Sequence, residues 1–353
     1  VKGANIMKNR RKSILAFTSF IVIFALLLNL FSMILIPKDN KMSKTIRGFY
    51  EEKKNSLDVL FLGDSSMYRS IIPAKLWKEN GFTSYALGAP SVRTYALYYL
   101  LEEALKTQKP KVVVMEVNCA FNDHKYSMGN KRKIIDHMKL SMNKINMIQD
   151  AAFQFSLTDK ISLLFPVFLY HNRYNEINAV DIAETFGSPM NDTKGFISSY
   201  KQKPYKGKTN YMRASSQAMF DANSKKYMDM IHDICKKNHI KLMLLKVPGA
   251  KEWNQSKKEA VELYAKERHL PYLDLNTNME KNIDWRRDTN DSGVHLNIFG
   301  AEKVTMELSQ YFRRHYRLKK TTDQEVIASF NKAYRLFNEK RKSYKRPVKT
   351  VTI

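Results

Sequence analysis

The chain predicts an α/β fold with a five-stranded parallel sheet between helix layers, preceded by one N-terminal transmembrane helix. Three observations carry this expectation. From Leu57 onward, short runs of branched and aromatic residues alternate with helical patterns. Two of these runs, Lys241-Leu242-Met243-Leu244-Leu245 and Tyr272-Leu273-Asp274-Leu275, are nearly unbroken apolar stretches, as strands covered on both faces require. Residues 13–37 form a stretch of 25 residues without a charge. Right-handed crossovers through the intervening helices make the sheet parallel.

Residues 1–12 form a basic tail, with Lys2, Lys8, Arg10, Arg11 and Lys12 and no acid. A helix over 13–37, rising about 1.5 Å per residue, crosses the roughly 30 Å hydrocarbon core with some tilt. A cleaved signal peptide would be shorter and followed by a small-x-small site. Met33-Ile34-Leu35-Ile36-Pro37 offers none, so the segment reads as an uncleaved anchor. Lys38, Lys41, Lys44 and Arg47 follow it closely, and the positive-inside bias toward a cytoplasmic amino end is slight.

The strand candidates are 57–62, 83–87, 111–117, 240–247 and 271–275. The clearest helix covers 91–108, with Leu97, Leu100, Leu101, Ala104 and Leu105 on one side, and a last helix covers 299–317. Residues 119–214 interrupt the rhythm with a basic helical pattern at 131–150, an apolar piece at 161–170 and a Gly/Pro/Lys/Tyr-rich loop at 195–213. An insertion of this length most economically forms a lid or side wall over a crevice at the strand ends. His171 and Arg173 would there contact an acidic or sugar substrate, or else lie in an ordinary surface loop. In the loop, Lys201, Lys203, Lys206, Lys208 and Arg213 interleave with Tyr200, Tyr205 and Tyr211, a pattern also found on single-strand nucleic-acid surfaces. A solvated basic loop is the simpler account, and nucleic-acid binding is not the expectation here.

After residue 318 comes a basic tail, 319–353, with 10 Lys/Arg against three acids. Val326, Ile327, Phe330, Tyr334 and Phe337 recur at helical spacing, so an amphipathic helix is expected there. It either docks on the body of the protein or recruits a membrane surface or wall polymer. The whole chain has 60 Lys+Arg against 34 Asp+Glu, a formal charge of +26, which favours polyanionic partners without choosing among them. Cys119 and Cys235 form neither a metal-ligand spacing nor a disulfide framework, and both are expected to be free, buried thiols.

The candidate chemistry begins at Leu57-Asp58-Val59-Leu60-Phe61-Leu62-Gly63-Asp64-Ser65-Ser66, where a buried strand runs into a polar turn. A serine on such a turn presents its hydroxyl at the carboxyl edge of the sheet, where ligands bind. Ser65 is the candidate nucleophile, and it needs a base. His295, in Asp288-Thr289-Asn290-Asp291-Ser292-Gly293-Val294-His295, can serve, with Asp291 folding back to orient the ring.

These residues resemble the SGNH/GDSL family of esterases and acyltransferases over roughly residues 55–318. The matching positions are Gly63-Asp64-Ser65, Gly88 in Ala86-Leu87-Gly88-Ala89-Pro90-Ser91, and Asp291 with His295. The usual Asp-x-x-His spacing would put the acid at Ser292. Asp291 is therefore the expected acid and Asp288 the reserve. The family's Gly-x-Asn-Asp block is absent as such, with Asn118 its nearest equivalent and Asn122 a rival. Pro248 with Trp253, His171-Asn172-Arg173 and the His-Leu-Asn ending look most like a membrane-anchored Gram-positive cell-envelope branch.

The resemblance implies a three-layer, flavodoxin-like fold of strand order 2-1-3-4-5. It also implies a catalytic domain outside the cell and an oxyanion hole from the N–H groups of Ser65 and Gly88 and the side-chain amide of Asn118. An acyl-enzyme on Ser65 would then pass to water or to a sugar hydroxyl. Expected partners are a surface polysaccharide or teichoic acid, to which acetyl or D-alanyl groups are attached, and a membrane-bound O-acyltransferase. No metal or organic cofactor is expected. The alternative is a non-catalytic envelope scaffold that binds anionic polymer through its basic surfaces.

Overall fold

Each of the five apolar runs forms a strand: β1 (Val59–Gly63), β2 (Ser84–Gly88), β3 (Val112–Glu116), β4 (Lys241–Lys246) and β5 (Tyr272–Asp274). They pair in parallel in the order β2-β1-β3-β4-β5. Every residue of β1, β2 and β3 is buried, which explains why these strands are apolar throughout rather than alternating. The order reverses between β1 and β3. A crevice therefore opens at their carboxyl ends, where the two following loops diverge.

The structure, a computed structural model, describes residues 2–38, 41–121, 126–187, 192–207, 212, 220–279 and 282–344. Among them are fifteen α-helices. The first seven are α1 (Lys2–Leu35), α2 (Lys41–Phe49), α3 (Ser65–Ser70), α4 (Pro73–Asn80), α5 (Thr94–Leu105), α6 (Met128–Ile135) and α7 (Met142–Gln149). Next come α8 (Leu157–Leu164), α9 (Val167–Tyr170) and α10 (Ala179–Phe186). The chain continues with α11 (Ala222–Lys237), α12 (Gln255–Glu267), α13 (Leu275–Asn278), α14 (Ile298–His315) and α15 (Gln324–Ser343). They fall into two compact units: Val1–Asn40 with Ile148–Ser188, and Lys41–Met147 with Pro189–Ile353.

The larger unit holds the sheet. There α5 packs with α11, and α14 packs with α3 and α4. Asn297 caps α14 by accepting from the N–H groups of Phe299 and Gly300, and Val304, Leu308 and Phe312 form its buried stripe. Phe312 meets Phe61 of β1 edge-on, with ring centroids 6.2 Å apart. The predicted tail helix exists as α15 and docks on α4. Phe330 is fully buried against Trp77, whose indole N–H donates to Asn331 at 2.9 Å. Lys194, itself buried, donates to Glu52 and to Ser329 of α15. Arg341 pairs with Glu302 at 2.9 Å, and the Tyr344 hydroxyl donates to the Tyr200 carbonyl. Of the two accounts of the tail helix, its apolar stripe follows the docking one. Lys345, Arg346 and Lys349 lie outside the described residues.

The smaller unit combines α1 with α8, α9 and α10. Residues Asn9–Leu35 of α1 are long and apolar enough to cross a membrane. The 119–214 stretch thus divides between the two units instead of forming one wall. Its middle part packs against the carboxyl end of α1 because unsatisfied groups there find partners. The Val167 N–H donates to Ser32 Oγ at 3.1 Å, and Arg173 donates to the Leu35 carbonyl.

Because Phe330 fills a site with no exposure, Phe330→Ala should lower unfolding free energy by about 3–5 kcal/mol in urea denaturation. Truncation after Arg317 should unfold the larger unit, lowering the thermal midpoint and any small-ester activity together. Full stability in either variant would show that α15 is dispensable to the core.

Candidate active site

Strand β1 ends at Gly63, and Asp64 caps α3 by accepting from the Ser66 N–H at 2.8 Å. Ser65 is the first residue of α3, so its hydroxyl stands at the crevice and its backbone N–H is a first-turn donor. The turn needs glycine on both neighbouring strands. Gly63 pairs with Gly88, and a Cβ on Gly88 would overlap the Gly63 carbonyl oxygen.

From 230 residues away in sequence, His295 brings Nε2 to 2.7 Å from Ser65 Oγ. Its Nδ1 lies 2.5 Å from Asp291 Oδ2, and its backbone N–H donates to Asp291 Oδ1 at 2.7 Å. One carboxylate therefore holds both the ring and the backbone of the histidine. The three intervening residues make this possible. Ser292 and Gly293 have φ of +65° and +96°, which turns the chain back on itself. The Gly293 N–H donates to Thr289 Oγ1 at 2.7 Å, and the Thr289 hydroxyl donates to the His295 carbonyl at 3.0 Å. Partial burial works against ionisation of Asp291. The hydrogen bond and charge of His295, its N–H and the Arg69 guanidinium prevail and hold that carboxyl below its ordinary range. Asp288 has a different place. It is fully buried, pairs with Lys303 at 2.7 Å and accepts from the Asp284 N–H at 2.8 Å.

The basic loop after β2's neighbour Lys194 braces this segment. The Lys203 N–H donates to the Thr289 carbonyl, the Ser292 N–H donates to the Lys203 carbonyl, and the Tyr205 N–H donates to the Trp285 carbonyl. A Cβ on Gly293 would press on the Tyr205 ring. Lys208, Tyr211 and Arg213 lie outside the described residues, as does Asn122.

A pocket of about 210 Å³ opens over Ser65 and His295. Its walls come from the loops after the strands: Ser91, Val92 and Arg93 after β2, Asn118, Cys119 and Phe121 after β3, Glu252 after β4, and Val294 before α14. Asn118 thus lies in the pocket wall. Its Nδ2 donates one hydrogen to Asp64 Oδ2 at 3.0 Å, and an amide nitrogen carries a second. Gly88 is not in the lining. His171 and Arg173 are not in it either. Within their own unit, Arg173 pairs with Asp181 and Glu176, and His171 is exposed with Nδ1 3.2 Å from the Phe168 carbonyl. Cys119 and Cys235 are free and buried.

Three contributors went unread in the sequence. Arg93 is 7% exposed, lines the pocket, and donates to the Phe121 carbonyl. Behind the pocket, Glu116 and Lys246 form a buried ion pair at 2.9 Å, and Glu116 also accepts the Asn118 N–H at 2.9 Å. Lysine at the end of an apolar central strand was the available signal, since a buried charge requires a partner.

No family model matches the sequence, and no curated protein matches it. Among solved structures, the chain is similar to a candidate acylhydrolase from Bacteroides fragilis, at 14% identity and a TM-score of 0.38, covering 77% of this chain and 95% of that one. A candidate lipolytic protein of the G-D-S-L family from Desulfitobacterium hafniense gives 14%, 0.38, 72% and 99% for the same measures. A GDSL-like lipase from Bacteroides thetaiotaomicron gives 14%, 0.34, 72% and 87%. At these values the likenesses assign nothing to any residue of this chain.

Burial pushes Glu116 up to about 7; Lys246 pulls it down and Asp64 pushes it up. The folded state thus holds this proton more tightly than an unfolded glutamate, which titrates near 4.5. The resulting stabilisation is complete below that value and is lost as pH rises through about 7. In Glu116→Gln this titration is gone. The thermal midpoint of the native protein should therefore fall relative to the variant across that window, and parallel profiles would contradict it.

Proposed function

We propose that the protein is a membrane-anchored serine esterase or O-acyltransferase of the SGNH/GDSL type, acting on small O-acyl groups of a surface glycopolymer. The observation that carries this reading is the continuous hydrogen-bonded chain from Ser65 Oγ through His295 to Asp291. Ser65 Oγ attacks the ester carbonyl while His295 Nε2 takes its proton, and Asp291 orients the imidazole and stabilises its cation. The Ser65 N–H and the second amide hydrogen of Asn118 are the pocket-lining donors assigned to the oxyanion. Collapse of the tetrahedral intermediate breaks the ester C–O bond, and His295 returns the proton to the departing alcohol. Water or a sugar hydroxyl then attacks the acyl-serine by the reverse sequence.

The size of the pocket suits acetyl or D-alanyl rather than a long acyl chain. Arg93 supports a polar or anionic acceptor, since its guanidinium has five N–H donors and a single carbonyl partner among the described residues. The +26 charge supports a polyanionic substrate such as teichoic acid. An apolar α1 supports single-pass anchoring; in this reading the catalytic unit lies outside, where a membrane-bound O-acyltransferase supplies or accepts acyl groups. The non-catalytic scaffold reading gains nothing from this arrangement, because a decayed site has no need to keep the three groups in register.

A fluorophosphonate probe should label Ser65, and Ser65→Ala should abolish both labelling and cleavage of an activated acetyl ester. Labelling that persists or moves to Ser66 would overturn the assignment. Asp291→Asn should lower turnover by roughly 10⁴, the scale seen when a triad acid is neutralised. Asp288→Asn should reduce stability while leaving turnover of the folded fraction nearly intact. The opposite ranking would transfer the acid role to Asp288. Adding a sugar alcohol to the acyl-enzyme and measuring the partition between acid and new ester separates hydrolase from transferase.

A further inference from the structure

In the smaller unit an acidic side chain is covered while several large apolar ones are not. Asp181, on α10, is buried, where it pairs with Arg173 and accepts the Asn178 N–H. Phe168, Val180 and Phe186 are 58%, 60% and 65% exposed, and Leu157, Leu169 and Ile182 are exposed as well. A unit surrounded by water does the reverse, because burying paired charges is costly and exposing contiguous apolar surface forfeits the hydrophobic gain.

These helices are attached at one particular level of α1. Arg173 donates to the Leu35 carbonyl, Val167 N–H to Ser32 Oγ, and Thr185 Oγ1 lies 3.4 Å from the Met33 carbonyl. Lys38 adds bonds to the carbonyls of Ile34 and Ile36 at 2.9 and 3.1 Å, completing the cap of α1. Within the span Asn9–Leu35 the uncharged part begins at residue 13. At about 1.5 Å per residue, residues 13–35 are some 35 Å long, against a hydrocarbon core of roughly 30 Å. A helix of that length crossing the core puts its capped end close to the boundary between acyl chains and head groups, together with the helices fastened to it. Aromatic residues, among them Phe165, Phe168, Tyr170, Tyr174 and Phe186, suit that boundary.

We infer that α8–α10 form a monotopic membrane-interface element, with their exposed apolar side chains inserted among the lipids around the capped end of α1. It makes the anchor wider than one helix. The acyl-chain boundary is the committed occupant because the surface is continuous with the membrane-crossing stretch, on which the inference rests. Such an element resists rotation and tilt in a way that a single span does not.

The test uses the full chain in vesicles of phosphatidylethanolamine and phosphatidylglycerol. Single cysteines replace Phe168, Val180 or Phe186 and carry an environment-sensitive fluorophore, with Lys237→Cys as the exposed control and the unsubstituted chain as background for Cys119 and Cys235. Leu157 and Ile182 provide substitutes if a variant fails to retain fluorophosphonate labelling. Lipid bearing a nitroxide near the top of its acyl chain should quench the three positions several-fold more than the control, and aqueous iodide should do the opposite. Iodide quenching equal to that of the control would overturn the inference. Protection from both quenchers would overturn it too, since that places the face against protein. Retention after alkaline carbonate extraction reports on α1 separately, and loss of retention would remove the anchor and the interface element together.

Discussion

A buried run of charged and amide groups ties the carboxyl ends of three strands together. Lys246 on β4 pairs with Glu116 on β3, Glu116 accepts the Asn118 N–H, and the Asn118 amide donates to Asp64 beyond β1. Asp64 in turn caps the helix that starts at Ser65. Removing one member of the Lys246–Glu116 pair would leave the other buried without its counter-charge, which typically costs several kcal/mol. The network therefore does more than fill the core. It fixes the Ser65 turn and the Asn118 side chain on opposite sides of the topological switch point, where the pocket forms.

The histidine reaches that pocket through a loop that is itself tightly constrained. A carboxylate that binds both Nδ1 and the N–H of the same residue requires a sharp reversal, and the positive φ values of Ser292 and Gly293 supply it. That reversal takes up the three residues between Asp291 and His295. The backbone of Lys203 and Tyr205 then clamps the reversal from the other side. A segment that reads as a solvated basic loop is thus part of the support for the His295 loop, held by its main chain rather than by its charges.

The excess of positive charge and the apolar surfaces are resolved differently in different places. At the carboxyl end, α15 turns its apolar stripe into the core, and Arg341 finds Glu302. In the smaller unit several large apolar residues of α8–α10 remain exposed, Leu163 is covered, and Asp181 is buried beside Arg173. Both segments carry large apolar residues on helices. A protein groove lies beside α15, and a lipid boundary is the proposed neighbour of α8–α10.

The sequence by itself determined the strands, because runs such as Val112-Val113-Val114-Met115 have no stable place except a sheet covered on both faces. It also determined the long apolar helix, and it narrowed the candidate site to Ser65, His295 and two candidate acids, Asp291 and Asp288. The choice between Asp291 and Asp288 belonged to the tertiary structure. Both carboxylates precede the histidine on one loop, and only the backbone reversal sends one to the imidazole and the other to Lys303. The same holds for Arg93, Glu116 and Lys246, whose partners lie on other strands or loops, and for Arg173, which closes on α1. Pairing across such distances is set by strand order and helix docking, and no local pattern of residues encodes it.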